Sequence, residues 1–227
     1  MQTVIHRAES RGGGDYGWLK TRYSFSFAQW YDPTRMGFGA LRVINDDYIA
    51  PNNGFDTHAH ADMEIITIVM SGTITHTDSM GNMGTVSAGE VQVMSAGTGV
   101  THSEVNASEK DPITLFQLWI TPRVQGIDPA YDQRAFDLET EDAVALVGGS
   151  GLSINQDAAI THVKLQNNSF TYELKDPSHG AYVLVIAGDI EIAGDTLETR
   201  DAIGIVGTDQ IELKGTGTVL IIEVPMV

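Results

Sequence analysis

Short runs of Val, Ile, Leu and Thr recur along this chain and are cut by Gly, Asn, Asp or Ser. This strand-and-turn grammar constrains the fold more than any other feature. Helix-period patterning over ten or more residues is missing. Candidate strands in the first part are Ala40–Asn45, Glu64–Met70, Thr73–Thr77, Val91–Met94, His102–Asn106 and Thr114–Ile120. In the second part they are Thr161–Leu165, Phe170–Leu174, Ala181–Ala187, Asp189–Ile192, Ala202–Val206, Gln210–Leu213 and Thr218–Val224. Only Phe27–Tyr31 and Pro129–Tyr131 have room for a helical turn. The expectation is an all-β protein.

The pattern breaks at Thr121–Ala143, which carries Pro122, Gly126, Pro129 and the acidic run Asp137–Asp142. Punctuation of this kind reads as a connection. The chain therefore divides into a first β module at 1–122, a linker at 123–143 and a second module at 144–227. The modules resemble one another. Glu64-Ile-Ile-Thr-Ile-Val-Met-Ser-Gly72-Thr-Ile parallels Gly180-Ala-Tyr-Val-Leu-Val-Ile-Ala-Gly188-Asp-Ile, and each is followed by a further hairpin. Self-similarity at this spacing suggests a duplicated domain. Two β sandwiches or rolls fit the length of 227 residues.

Composition removes whole classes of function. There is no Cys, so disulfides, thiolate metal sites and thiol nucleophiles are excluded. The 13 Lys and Arg are scattered against 30 Asp and Glu, for a net charge of −17. That balance argues against phosphate-backbone binding and anionic membranes, which need clustered basic side chains. The longest apolar runs are strand-length, far short of the ~20 residues of a membrane span. The first ten residues have no apolar signal core, so a cytoplasmic protein is expected.

Two fragments carry chemistry. One is Gly54-Phe-Asp-Thr-His58-Ala-His60-Ala-Asp-Met-Glu64; the other is Gly97-Thr-Gly99-Val-Thr-His102-Ser-Glu104-Val-Asn106. Residues i and i+2 of a strand project from one face, about 7 Å apart. His58 and His60 then share a target, as do His102 and Glu104. Side by side, such strands converge three imidazoles and a carboxylate on a divalent metal and leave positions open for water, substrate or dioxygen. Gly97 and Gly99 suit a tight turn before the second strand. His76 follows the same alternation, yet a hydrogen-bonded structural role fits it better. His6, His162 and His179 are isolated and read as structural or solvent-facing. Phe55 and Met63, which flank the His pair, and Met94 are candidates for an apolar pocket, with Gln117 as a donor to substrate. Phe25, Phe27 and Trp119 fit such a pocket too, although plain core packing is the better reading of any one of these residues.

The two fragments resemble the paired metal motifs of the cupin superfamily, with Gly97 where a Pro usually stands. Within it, the chain is similar to the pirin family. The resemblance rests on Gly17-Trp-Leu, Ser24-Phe-Ser-Phe-Ala28, Gly37-Phe-Gly-Ala-Leu-Arg-Val-Ile-Asn-Asp-Asp47, His58-Ala-His-Ala-Asp-Met-Glu-Ile65, Asp78-Ser-Met-Gly-Asn82 and His102-Ser-Glu-Val-Asn106. It is dense over about residues 5–120, and the C-terminal half looks like that of the bacterial quercetinase-type members. It implies a bicupin with a metal site in the N-terminal barrel alone, where His58, His60, His102 and Glu104 hold Fe(II). Glu64, the usual cupin carboxylate, would then be a supporting residue. Ni, Mn, Co or Zn suit the same ligand types. Aligned on Gly72 and Gly188, the C-terminal positions matching His58, His60 and Glu64 are Leu174, Asp176 and Gly180. The implied activity is oxidative opening of a flavonol such as quercetin with release of carbon monoxide, Glu104 acting as base. The other implied role is that of a metal-containing, redox-sensitive regulator that binds a protein partner. Relatives of this kind are often monomers.

Overall fold

The computed structural model describes residues 1–226. Its strands are β1 (Gln2–His6), β2 (Gly12–Asp15), β3 (Leu19–Tyr23), β4 (Leu41–Ile49), β5 (Gly54–His60), β6 (Glu64–Ser71), β7 (Thr73–Asp78), β8 (Met83–Ser87), β9 (Glu90–Ser95), β10 (Val100–Val105), β11 (Ile113–Ile120) and β12 (Ala130–Ala135). The second half adds β13 (Ala143–Val147), β14 (Ala159–Glu173), β15 (His179–Ile192), β16 (Asp195–Leu197), β17 (Ala202–Val206) and β18 (Gln210–Pro225). Helix among the described residues is one 3-10 turn at Ala8–Ser10. The protein is an all-β bicupin.

The first cupin pairs a large sheet, ordered β12-β9-β6-β11-β4-β3-β2, with a small one, β5-β10-β7-β8. The second is built on β1-β17-β15-β18-β14-β13, with β16 against β15. All named pairings are antiparallel. The segment expected to be a linker is partly built into the first cupin: β12 lies along β9, with Tyr131 opposite Met94 and Gln133 opposite Gln92. Pro129–Tyr131 therefore enters a strand, not a helical turn. Phe27–Tyr31 is not helical either; Phe27 and Trp30 close a tight turn.

Several expected strand pairs are single long strands. β15 runs through Gly188, and β14 and β18 likewise join pieces read separately in the sequence. Irregular pairings near Val185/Ala187 and Gln166/Asn168 bend these strands. Gly188 sits at φ 95, where a Cβ would meet the Thr216 carbonyl at 2.2 Å. Gly72, its counterpart, does end a strand.

Alternation decides which core each side chain joins. Ile66 and Ile68 of β6, Val91 and Val93 of β9, and Phe116, Leu118 and Ile120 of β11 leave the first barrel on its outer face. They pack against Tyr182, Leu184 and Ile186 of β15 and Leu220, Ile222 and Val224 of β18. Each such side chain contributes about 1.5–3 kcal/mol when buried. These strands are apolar on both faces because one face fills a barrel and the other fills the joint. Within the second barrel, Val163, Val183, Val185, Ile203, Leu213 and Ile221 form an apolar core. The first barrel differs. Gln92, Thr67, Gln117 and Asn45 stand opposite one another across β9, β6, β11 and β4. This polar row faces the small sheet.

Candidate metal centre

The small sheet brings the chemistry-bearing residues into register. On β5 and β10, His58 stands opposite His102 and His60 opposite Val100. On the other flank of β10, Asp78 stands opposite His102 and His76 opposite Glu104. An irregularity in the β5–β10 pairing sets Phe55, not Asp56, opposite Glu104. That bulge lets Phe55 and His58, three residues apart, lie near each other, with ring centres at 6.4 Å. The turn before β10 needs Gly97. It sits at φ 47, and a Cβ there would lie 2.1 Å from the Ile127 carbonyl oxygen.

His58, His60 and His102 place their candidate ligand atoms within 4.8 Å of one another. Their ring centres are 4.5–5.0 Å apart. Glu104 groups with His102 and His76 under the same 4.8 Å span, so His102 is common to both sets. Both ring nitrogens of His102 are buried without a hydrogen-bond partner. Buried polar groups are ordinarily satisfied, and a cation among the three rings would satisfy one of the two nitrogens. His58 Nδ1 lies 2.7 Å from the Asp56 carbonyl, which leaves Nε2 as its ligand atom. Burial, reinforced by the neighbouring imidazole of His58, lowers His60 to about 4. Burial and the charges of His58, His60 and His76 lower His102 to about 3. Neutral imidazole is the form that binds metal. The donor set fits a divalent cation.

Glu104 is 1% exposed and held from three sides. Gln117 Nε2 donates to Oε2 at 2.7 Å, while Thr67 Oγ1 at 3.1 Å and Gln92 Nε2 at 3.4 Å donate to Oε1. The Trp119 indole N–H donates to Gln117 Oε1 at 3.1 Å, which fixes the amide's orientation. His76 Nε2 bonds Asp78 Oδ2 at 3.0 Å, and its ring stacks on Tyr131 at 4.8 Å. Burial opposes ionisation of Asp78. Hydrogen bonds from Asn82, His76 and the Met80 amide outweigh it and hold the carboxyl below its ordinary value. The Tyr131 hydroxyl, pushed up to about 12 by burial and by the charges of Asp78 and Glu104, donates to Gln133 Oε1 at 2.6 Å and lies 3.2 Å from Gln92 Oε1.

The other expected residues separate. Gln117 reaches Glu104. Met63 and Met94 pack with Ile65, Val100 and Trp119 beside the His cluster, Met94 fully buried. Phe55 packs edge-on against Trp18 at 5.4 Å. Glu64 points away, into the joint between the cupins, where Ser95 Oγ at 2.6 Å and the Asn155 amide at 3.0 Å donate to it. Burial holds its carboxyl above the usual range. His6, His162 and His179 are all buried. His6 bonds the Tyr182 hydroxyl and His179 bonds Glu223. In the second barrel, Leu174 is buried and Asp176 caps a turn through Ser178, and no comparable cluster forms among the described residues there. Sequence reasoning passed over Thr67, Gln92, Asp78 and Tyr131. The signal for Thr67 was a lone hydroxyl in an apolar strand.

Comparison with known proteins agrees with this architecture. Residues 4–120 match the Pirin family model, and residues 147–224 match that of the quercetinase C-terminal cupin domain. A quercetin 2,3-dioxygenase of Escherichia coli (strain K12) is 40% identical over 98% of this chain and 99% of its own. A pirin-like protein of Caulobacter vibrioides is 43% identical over 86% of each. Among solved structures, the bacterial pirin YhhW from Escherichia coli in complex with nickel(II) superposes with a TM-score of 0.94, at 37% identity and 100% coverage of both chains. That relative binds nickel, and the same fold here gathers a His and Glu cluster of the kind that takes a divalent metal. This chain belongs to the pirin family.

Proposed function

We propose that this protein is a metal-dependent dioxygenase that opens the heterocycle of a flavonol such as quercetin and releases carbon monoxide. The observation that carries this reading is the immobilised carboxylate of Glu104 beside a cluster of three imidazoles. His58, His60, His102 and Glu104 are the proposed ligands, and Fe(II) is the proposed metal. Bound there, the metal would act as a Lewis acid toward the flavonol oxygens and leave a position for dioxygen. The dioxygenase names of relatives along the full chain support the substrate class.

The chain's own residues prepare the substrate. A flavonol carries an acidic 3-hydroxyl beside a ketone. Glu104 takes that proton as general base. Thr67, Gln92 and Gln117 donate to its carboxylate, so they hold it in one rotamer before the proton arrives. Transfer leaves a neutral carboxyl on Glu104 and an enolate on the substrate. Trp119, Met63 and Phe55 border the cluster with apolar surface.

Anaerobically purified protein loaded with Fe(II), Ni(II), Mn(II), Co(II) or Zn(II) tests the proposal. Quercetin-dependent dioxygen uptake with stoichiometric carbon monoxide is expected, highest with Fe(II). Absence of uptake with every metal overturns it.

A further inference from the structure

Trp119 has a second face. Its ring lies 5.0 Å from His60, edge-on at 84°, and 5.3 Å from Phe27 at 87°. Beyond it opens a cavity of about 330 Å³ that Phe27, Trp30, Tyr31, Met36 and Arg42 line with it. We propose that this cavity is a subsite for a pendant aryl ring of the substrate, and that Arg42 selects rings bearing phenolic oxygens. The inference rests on the dioxygenase reading above and adds to it the part of the substrate that does not react.

Three observations carry it. The first is position: Trp119 borders both the imidazole cluster and the cavity, so the cavity lies one indole away from a ligand anchored at the cluster. The second is rigidity. The Phe27 amide donates to the Trp30 carbonyl at 3.1 Å and the Trp30 amide to the Phe27 carbonyl at 3.0 Å. Ala28, at φ 50, completes this turn in the left-handed region. Trp30 lies flat on Gly12, where any Cβ would stand 2.0 Å from the indole. The aromatic wall is therefore preformed, as ligand sites usually are. The third is exposure. Tyr31 is 71% and Met36 43% exposed, an apolar rim around a concavity beside reactive groups.

The chemistry of the occupant follows from the lining. Indole and phenyl faces take a flat ring. Arg42 is the charged group among the lining residues. One Nη1 donates to the Ser26 carbonyl at 2.9 Å, and a guanidinium has further donors to offer. A phenol or catechol edge supplies the oxygens these require. Trp119 also donates to Gln117, so a ring seated against it bears on the side chain that orients Glu104.

The test compares three probes on metal-loaded protein: quercetin, 3-hydroxyflavone and 3-hydroxy-2-methylchromone, which lacks the aryl ring. The expected order of kcat/KM is quercetin, then 3-hydroxyflavone, then the chromone. Arg42→Leu is expected to reduce the preference for quercetin over 3-hydroxyflavone by about tenfold, the scale of one hydrogen bond to a charged group. Met36→Trp, which fills the cavity, is expected to erase most of the preference for 3-hydroxyflavone over the chromone. Equal turnover of all three, or preferences untouched by both substitutions, overturns the inference while the dioxygenase reading stands. If no probe is consumed, the dioxygenase reading fails, and anaerobic quenching of tryptophan fluorescence decides the subsite. Quenching by quercetin that weakens about tenfold in Arg42→Leu supports an aryl-binding cavity, and quenching that is absent or unchanged rejects it.

Discussion

Folding places Asp47 at a disadvantage. It is buried inside the first barrel, and its Oδ1 has no hydrogen-bond partner. Burial pushes its carboxyl up to about 7, with the charges of Asp46 and Glu104 adding to the effect. A carboxyl raised above its unfolded value of 3.8 holds a proton that the unfolded chain has lost. Its contribution to stability therefore falls as pH rises from about 4 to about 7, then stays level. Asp47→Asn is expected to match the parent near pH 4 and to exceed it at pH 8, by up to a few kcal/mol; urea unfolding at the two pH values checks this. Glu104 makes the complementary case. Glu104→Gln keeps the size and loses the charge, so turnover should fall by a larger factor than metal content. Metal analysis beside dioxygen uptake reads both, and equal losses would remove the base role. At this scale the sequence was legible where spacing carries meaning. His58, His60 and His102 stood out because alternation on a strand aims side chains two apart at one point. Asp78 and Gln92 were not legible, since their roles depend on which strands become neighbours, and local pattern does not encode that.

The turn that launches β10 is sensitive to a single methyl group. Gly97→Ala would put a side chain in the left-handed region and against the Ile127 carbonyl. The backbone cost alone is about 1–3 kcal/mol, and His102 and Glu104 both ride on the displaced strand. Reduced stability together with weaker Ni(II) binding is expected, read by thermal unfolding and a metal titration. The central strands were visible in the sequence because burial on one or both faces leaves runs of Ile, Val and Leu. β12 was not. Ala-Tyr-Asp-Gln-Arg-Ala has no apolar alternation, and its strand character comes from lying along β9 as an edge. β14, β15 and β18 were read in pieces because Gly and Asn interrupt them. Those interruptions mark bulges, where a strand bends without ending.

The two cupins share one apolar joint, and cross-links reinforce it. Arg200 reaches Asp46 at 2.8 Å and lies 4.9 Å from the centre of the Phe116 ring. The Asn155 amide reaches Glu64 from the other half. Leu184→Ala in the joint should cost about 2–5 kcal/mol and leave Ni(II) affinity at 25 °C unchanged, because the cluster side chains ride on β5 and β10 of the small sheet while the joint is built on β6, β9 and β11. Unfolding should remain a single transition seen alike by tryptophan fluorescence and circular dichroism. β1 extends the joint in an unusual way. Gln2–His6 does not join the barrel that follows it; it pairs with Ala202–Val206 of the second cupin. During synthesis, this strand leaves the ribosome roughly two hundred residues ahead of its partner. At about 5–20 residues per second, it waits some 10–40 seconds unpaired. A tag or fusion at this end would ride beside the last segments to fold, and any slowing of late translation would lengthen the interval in which a sticky edge has nothing to bind.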